Sequence, residues 1–193
     1  MVTIMRIKMQ GILGSRSGIL AGAINGQKAL ANMLEQMKDE PAKPEELFLD
    51  FSGVQVATAS FLREAVFAFR EKVRGRRSNF YPVVANATSA VEDELKVLVQ
   101  SDNSVLMLCS LDRKGRPNKA RLVGNLDAKQ RLTFDLVQKG VTNAGQLMRE
   151  HGENEKVTQT AWNNRLAALT ALGLVVEMNA GRAKKYRPLF GEA

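Results

Sequence analysis

The chain has 193 residues, of which 45% are hydrophobic and 25% are charged, and it carries a formal net charge of +8. This composition is typical of a folded protein and excludes a mainly disordered chain. The length suffices for two small domains, and the positive charge favours an anionic partner because a positive field attracts polyanions.

The N-terminal half alternates strand and helix patterns. Predicted strands cover residues 2–9, 47–51 and 80–86, and predicted helices cover residues 19–37, residues 60–75 and the segment that carries Val91, Leu95 and Leu98. The run LFLDF at 47–51 is nearly continuous in apolar residues, which is the pattern of a strand buried on both faces. Repeated alternation at this spacing predicts a small α/β domain with right-handed crossovers.

Two features of this half raise the alternative of an enzyme. The segment GILGSRSG, residues 11–18, contains glycines that let backbone N–H groups approach an anion, but it lacks both the Walker ending and the dinucleotide-site spacing. Asp50 follows a strand, where α/β sites occur, and the sequence offers it no partner for acid–base chemistry. We therefore expect no catalytic set, no metal and no cofactor.

The next segment has the pattern of a β-hairpin. SVLMLCSL and KARLVGNL flank DRKGRPN, whose glycine and proline supply turn geometry. Such a hairpin either completes the sheet or bridges to the C-terminal part of the chain. From Asp127 the pattern becomes helical, so we predict an α/β domain over residues 1–103, a hairpin connector over 104–126 and a second domain over 127–193.

The single cysteine and the hydropathy of the chain indicate in which cellular compartment the protein is expected. Cys109 excludes an intramolecular disulfide and a cysteine-based zinc site, and the apolar run around it predicts a buried packing role. The sequence shows no signal-peptide pattern and no apolar run near the ~20 residues of a transmembrane helix. We therefore expect a cytoplasmic protein that does not enter a membrane.

The C-terminal domain begins with helix patterns separated by a short break. Thr142 is predicted to cap a helix that ends at Gly152, and Thr158 is predicted to cap the next. The first of these helices is expected to bury Ala144, Leu147 and Met148, and the second to bury Trp162, Leu166 and Leu169. This spacing predicts a helix, a turn and a second helix.

Polar and basic residues of this domain are candidates for contacts with nucleic acid. Burial of the Trp162 stripe predicts that a polar set faces outward, where amides and hydroxyls can read base edges: Gln159, Thr160, Asn163 and Asn164. Arg165 is expected to meet phosphate or an acidic neighbour. LVVEM and KKYRPL are predicted to pair as a hairpin that offers phosphates four cations: Arg182, Lys184, Lys185 and Arg187. A solvated basic hairpin is the alternative.

The order of these elements resembles a known family. NRLAALTALGLVVEMNAGRAKKYRPL, preceded by VTNAGQLMREHG, is similar to the winged helix-turn-helix domain of bacterial regulators. The resemblance covers about the last third of the chain. It implies that residues 158–165 form the recognition segment and that residues 181–187 form the wing, with double-stranded DNA as the ligand.

The N-terminal half also resembles a family. LFLDFSGVQVATASFLREAVFAF, with VVANATSAVEDEL after it, is similar to the STAS-like domains related to bacterial anti-sigma-factor antagonists. In such antagonists a serine just before this helix can be phosphorylated. The matching position here is Ala59, so Ser60 beside it is the candidate regulatory residue, with helix capping as its alternative role.

Together these patterns predict a STAS-like α/β module joined to a winged helix-turn-helix domain. The function that they favour is a DNA-binding transcriptional regulator whose STAS-like module binds a protein partner or forms a homodimer. The alternative is an interaction adaptor in a partner-switching pathway that does not bind DNA.

Overall fold

The computed structural model describes residues 5–14, 17–37, 39–180 and 183–190. The chain divides into two compact units, Met1–Asn125 and Leu126–Ala193. The first unit is a mixed α/β structure with a largely parallel sheet, and the second consists of three helices followed by a two-stranded hairpin.

The sheet of the first unit has five strands. They are β1 (Met5–Lys8), β3 (Glu45–Asp50), β5 (Phe80–Ala85), β6 (Val105–Leu111) and β7 (Pro117–Gly124). The spatial order is β1-β3-β5-β6-β7, with the first four strands parallel and β7 antiparallel to β6. Two further short strands, β2 (Ile19–Leu20) and β4 (Val56–Ala57), pair with each other in parallel.

Helices connect the parallel strands. They are α1 (Ala23–Gln36), α2 (Ala59–Leu62), which continues through a π-helical turn at Arg63–Phe67 into α3 (Ala68–Gly75), and α4 (Ser89–Ser101). Every residue of β5 is buried, as both faces of a parallel strand must be when helices cover them. The predicted helix at 19–37 begins only at Ala23, because Ile19 and Leu20 form β2 instead.

The helix predicted at 60–75 shows one departure from its pattern. Its apolar residues at helical spacing are buried, namely Phe61, Ala65, Phe69 and Val73. Arg70 and Arg74 are charged and lie outside this apolar stripe, yet they are buried as well. Arg74 donates to the carbonyl oxygens of Ser78 and Phe80 at 2.6 and 2.9 Å, and Arg70 donates to Ser104 Oγ at 2.9 Å. These hydrogen bonds offset the cost of burying the two guanidinium groups.

The hairpin predicted as a connector lies inside the first unit. Strands β6 and β7 form two of the five strands of its sheet, and the unit ends at Asn125. The first five residues of β6 are buried, so this apolar run needs the core of the first unit. Cys109 belongs to that run, which confirms its predicted packing role. Its burial raises the pKa of the thiol to about 12.

The second unit contains α5 (Ala128–Gln138), α6 (Ala144–Glu155), α7 (Gln159–Ala171), β8 (Val175–Ala180) and β9 (Ala183–Pro188). The last two strands pair in an antiparallel hairpin. The buried core draws on all three helices and the hairpin: Phe134, Val137, Leu147, Trp162, Leu166, Leu169, Leu174, Val176 and Tyr186.

The details of α6 differ from the predicted ones. Asn143, not Thr142, caps the helix, because its Oδ1 accepts from the backbone N–H of Gln146 at 2.8 Å. Gly152 does not end the helix, which continues to Glu155 and closes at Lys156 in the left-handed conformation. Met148 is exposed rather than buried, and its sulfur lies 2.6 Å from the position that a Cβ on Gly152 would take. The glycine therefore accommodates the methionine inside the helix.

No helix in the described ranges combines the length and the apolar character that crossing a bilayer requires.

Candidate nucleic-acid interface

Local signals fix where α7 begins and ends. Thr158 Oγ1 accepts from the backbone N–H of Ala161 at 3.3 Å, so the predicted cap is confirmed. At the other end Gly173 adopts a φ of 78°, and the N–H of Leu174 donates to the carbonyl of Leu169 at 3.0 Å. Glycine tolerates this conformation because it has no Cβ. The helix therefore occupies one defined stretch of the chain.

A buried stripe fixes which face of α7 points outward. Trp162, Leu166 and Leu169 are all fully buried, as their spacing of four and three predicts. Trp162 is thus a core residue and not a stacking platform for bases. Because three large side chains hold one face against α5 and α6, the opposite face is presented to solvent in a single orientation.

Four polar side chains make up the outward face at the start of α7, and all four are exposed: Gln159, Thr160, Asn163 and Asn164. Thr160, Asn163 and Asn164 lie within about 100° of one another around the helix axis, and Gln159 is exposed because it lies in the first turn. Within the described ranges none of the four makes a side-chain hydrogen bond. Their amide and hydroxyl groups are therefore available to donate and accept toward a ligand such as a base edge.

Arg165 stacks on the tryptophan of the same helix. Its guanidinium carbon is 4.6 Å from the centre of the Trp162 ring, and the residue is half-buried. Among the described residues its Nη1 has no hydrogen-bond partner, and no acidic side chain forms an ion pair with it. Stacking on an aromatic face stabilises a cation without such a pair. Arg165 therefore covers one side of the tryptophan, beside the exposed Asn163 and Asn164.

The C-terminal hairpin offers less free charge than its sequence indicates. Lys184 forms an ion pair with Glu177 at 2.8 Å, and Arg187 donates to the carbonyl oxygens of Pro188 and Leu189 at 3.1 and 3.2 Å. Lys185 is exposed and has no ion pair in the described part of the chain. Arg182, the remaining predicted contact, lies outside the described residues.

The predicted regulatory serine lies at the start of α2. Ser60 is half-buried and shares a hydrogen bond of 3.1 Å with Thr58 Oγ1. Thr58, rather than Ser60, caps the helix, since its Oγ1 accepts from the N–H of Phe61. The same oxygen accepts from the N–H of Gly22 at 3.1 Å and so joins the start of α1 to the start of α2.

Asp50 occupies the carboxyl edge of the sheet and is fully buried. Its carboxylate accepts from Arg6 Nε at 2.6 Å, from Ser52 Oγ at 2.6 Å and from Asn86 Nδ2 at 2.7 Å. Burial acts to raise the pKa of Asp50, but the hydrogen bonds from Ser52, Asn86 and Arg6 outweigh it and leave the pKa below its usual value. Such a carboxylate stays ionised and binds its neighbours instead of accepting protons.

Sequence reasoning missed a second group of exposed cations. The segment DRKGRPN predicts turn chemistry, yet Arg113, Lys114 and Lys119 on and beside it are exposed. The signal was present as a short run of cations preceded by one acid, Asp112. Across the described ranges, no group of three or more His, Cys, Asp or Glu side chains is placed to hold a metal ion.

Comparison of the chain with known protein families, curated proteins and solved structures gives no match.

Proposed function

We propose that the protein is a DNA-binding transcriptional regulator. In this proposal residues 127–193 act as a winged helix-turn-helix domain that binds duplex DNA, and the N-terminal unit is a STAS-like module for partner binding or dimerisation. The observation that carries the proposal is the outward face of α7, whose four polar side chains have no partner in the described chain while the opposite face is locked into the core.

The chemistry of this face suits base edges in the major groove. Asn163 and Asn164 each carry an amide that can form a bidentate pair with adenine. The groove admits one α-helix, and helix-turn-helix proteins insert the N-terminal part of the second helix. Gln159 and Thr160 lie in the first turn of α7, where such contacts are made.

Contacts with phosphate would come from the hairpin. Lys185 is the exposed cation of β9 without an ion pair in the described residues, so it is the strongest candidate for a phosphate contact. Lys184 can exchange its contact with Glu177 for a phosphate, because an exposed ion pair contributes little to stability.

A specific feature of the N-terminal unit supports a role in protein binding. Ile19 and Val56 lie opposite each other on β2 and β4, and their side chains are 58% and 44% exposed. Ile24 at the start of α1 is 71% exposed. Ser60 lies two residues after Thr58. The hydroxyl oxygen of Thr58 accepts a hydrogen bond from the N–H of Gly22, which lies between β2 and α1. This surface favours the STAS-like partner module, and it is also the basis of the alternative function, an adaptor that does not bind DNA.

Selection from a pool of randomised duplex DNA tests the proposed function. We expect the full chain to enrich one sequence and the N163A/N164A variant to lose preference at the affected positions, at about 1–3 kcal/mol per lost bidentate pair. The matched control is Q138A/N154A, which removes two exposed amides from α5 and α6. If the full chain enriches no sequence, or both variants enrich the same one, α7 does not read bases.

A further inference from the structure

The outer part of the β6–β7 hairpin, residues 110–121, projects beyond the core of the first unit. We call it the basic ribbon. All five residues from Pro117 to Arg121 are exposed, whereas Val123 on the same strand is buried. Successive side chains of a strand point to opposite faces, so exposure of five in a row means that neither face of the ribbon is covered.

The ribbon carries five cations and a single acid: Arg113, Lys114, Arg116, Lys119, Arg121 and Asp112. Two of the cations are neutralised locally. Arg116 pairs with Asp112 at 2.9 Å, and Arg121 pairs with Glu92 on α4. Arg113, Lys114 and Lys119 are exposed and form no ion pair with any described residue. Three positive charges are thus directed to solvent without internal compensation.

The ribbon is held in a defined shape despite its exposure. Asp112 Oδ1 accepts from the backbone N–H groups of Lys114 and Arg116 at 2.8 and 2.9 Å and so closes the turn. At the root of the ribbon, Asn86 Oδ1 accepts from the N–H of Leu111 at 2.9 Å, and the amide of Asn86 is bonded to Asp50. A preorganised surface loses less conformational entropy when it binds a ligand.

A β-bulge redirects one of the free cations. Leu108 pairs with Arg121 and Ser110 with Asn118, so Lys119 and its neighbour Ala120 face the single residue Cys109. Lys119 has a φ of 50°, a conformation that is uncommon for a residue with a Cβ. Bulges increase the local twist and re-aim side chains. The bulge therefore sets the direction in which the Lys119 side chain leaves the strand.

We propose that the basic ribbon is a second site for duplex DNA, on which Arg113, Lys114 and Lys119 contact phosphates. A two-stranded ribbon fits the major groove, which is about 12 Å wide, and cations on both of its exposed faces meet the phosphates that border the groove. The inference rests on the proposed function in that both need duplex DNA as the ligand, but the ribbon belongs to the other structural unit.

Binding of the full chain to random-sequence duplex DNA across a salt series tests the ribbon. We compare the variant R113Q/K114Q/K119Q with the control K28Q/K43Q/R63Q, which removes three exposed cations elsewhere in the same unit. Affinity falls as salt rises, and each phosphate contact that a variant loses makes the fall of log K with log salt less steep by about 0.9. The ribbon variant is therefore expected to lose about three units of slope, and the control variant to keep the slope of the wild type.

The outcomes separate this inference from the proposed function. Equal slopes for the ribbon variant and the control overturn the ribbon site while leaving α7 as a reader. Loss of slope in the ribbon variant, with no effect of N163A/N164A on sequence preference, supports the ribbon and contradicts the role of α7. Absence of duplex binding by the wild type overturns both.

A polyglutamate peptide distinguishes DNA from an acidic protein partner. We expect it to bind more weakly than duplex DNA of equal charge and to be insensitive to the ribbon substitutions. If the ribbon variant loses affinity for polyglutamate as strongly as for DNA, the ribbon is a general site for acidic chains and the inference is wrong. Melting curves of the ribbon and control variants that match the wild type exclude misfolding as the cause of any loss.

Discussion

The two basic hairpins of this protein use their cations differently. The β8–β9 hairpin has no acid from Met178 to its end at Pro188, but Lys184 is paired with Glu177 and Arg187 is folded onto its own backbone. The β6–β7 ribbon includes an acid in its turn, yet three of its cations have no ion pair in the described chain. Charge available to a ligand therefore depends on which acids the fold brings within reach, and a count of basic residues does not give it.

The two hairpins also differ in what supports them. Residues of β8 and β9 share a core with Trp162, whereas the outer ribbon has no core and depends on hydrogen bonds at its turn and its root. Substitutions can therefore separate stability from binding: the C-terminal hairpin should be sensitive to core changes, and the ribbon should be sensitive to changes in polar contacts.

The largest effect is expected from Trp162→Ala. Removing a fully buried tryptophan leaves a cavity, and such changes lower the free energy of unfolding by about 3–5 kcal/mol. We expect the second unit to lose cooperative unfolding in urea, followed by circular dichroism, and to lose any sequence preference. The ribbon variant R113Q/K114Q/K119Q should change stability by less than about 0.5 kcal/mol. A W162A chain that unfolds like the wild type would contradict the core assignment.

A smaller effect is expected from Asp50→Asn at the root of the ribbon. The substitution weakens the hydrogen bonds to a charged acceptor without removing them, so we expect the free energy of unfolding to fall by about 1.5–3 kcal/mol in total, which is the contribution of one such bond. Urea unfolding at neutral pH measures the loss, and Asn32→Ala, which removes a side-chain hydrogen bond to the carbonyl of Ile12 away from Asp50, serves as the comparison.

The same aspartate should give stability a dependence on pH. Because the folded-state pKa of Asp50 lies below the usual 3.8, its contribution is present above pH 3.8 and is lost as the pH falls through the folded-state pKa. Unfolding curves at decreasing pH should show the wild type losing this increment, while D50N lacks it at every pH. Identical acid dependence of the two chains would show that Asp50 does not stabilise the fold.

The smallest effects concern single lysines of the C-terminal hairpin. Lys185→Gln should reduce the salt slope of DNA binding by about one unit, and Lys184→Gln should reduce it less, because Glu177 already neutralises that lysine. Glu177→Gln frees Lys184 and should strengthen binding. Salt titrations of the three variants measure these changes. A larger loss of slope for Lys184→Gln than for Lys185→Gln would mean that Lys184, and not Lys185, is the main phosphate contact of the hairpin.

Local patterns predicted most of the elements. Apolar runs and helical spacing indicated the strands at 47–51 and 80–86 and the buried stripe of Trp162, because burial of one face imposes a period on the sequence. Thr158 marked the start of α7 for a similarly local reason. The predicted cap of α6 is wrong by one residue, since Thr142 and Asn143 are both good capping residues and only geometry selects between them.

Contacts between distant residues could not be predicted in this way. The hydrogen bonds of Asp50 with Arg6 and Asn86 join residues that are 44 and 36 positions apart, and no local sequence pattern predicts such contacts. Burial of Arg70 and Arg74 depends on carbonyl groups at Val105 and Phe80 that the fold brings close. The outward direction of Asn163 followed from the sequence, whereas the pairing of Lys184 with Glu177 required the register of the hairpin.

Hydrogen exchange of the full chain with and without duplex DNA tests the central claim most directly. The first-turn amides of α7 have no intrahelical acceptor and exchange readily, so a ligand on that face should slow them measurably. We expect slower exchange at residues 159 and 160 when DNA is bound, with the amides of α4 unchanged. DNA binding that leaves residues 159 and 160 unaffected would contradict the assignment of α7 as the helix that reads DNA.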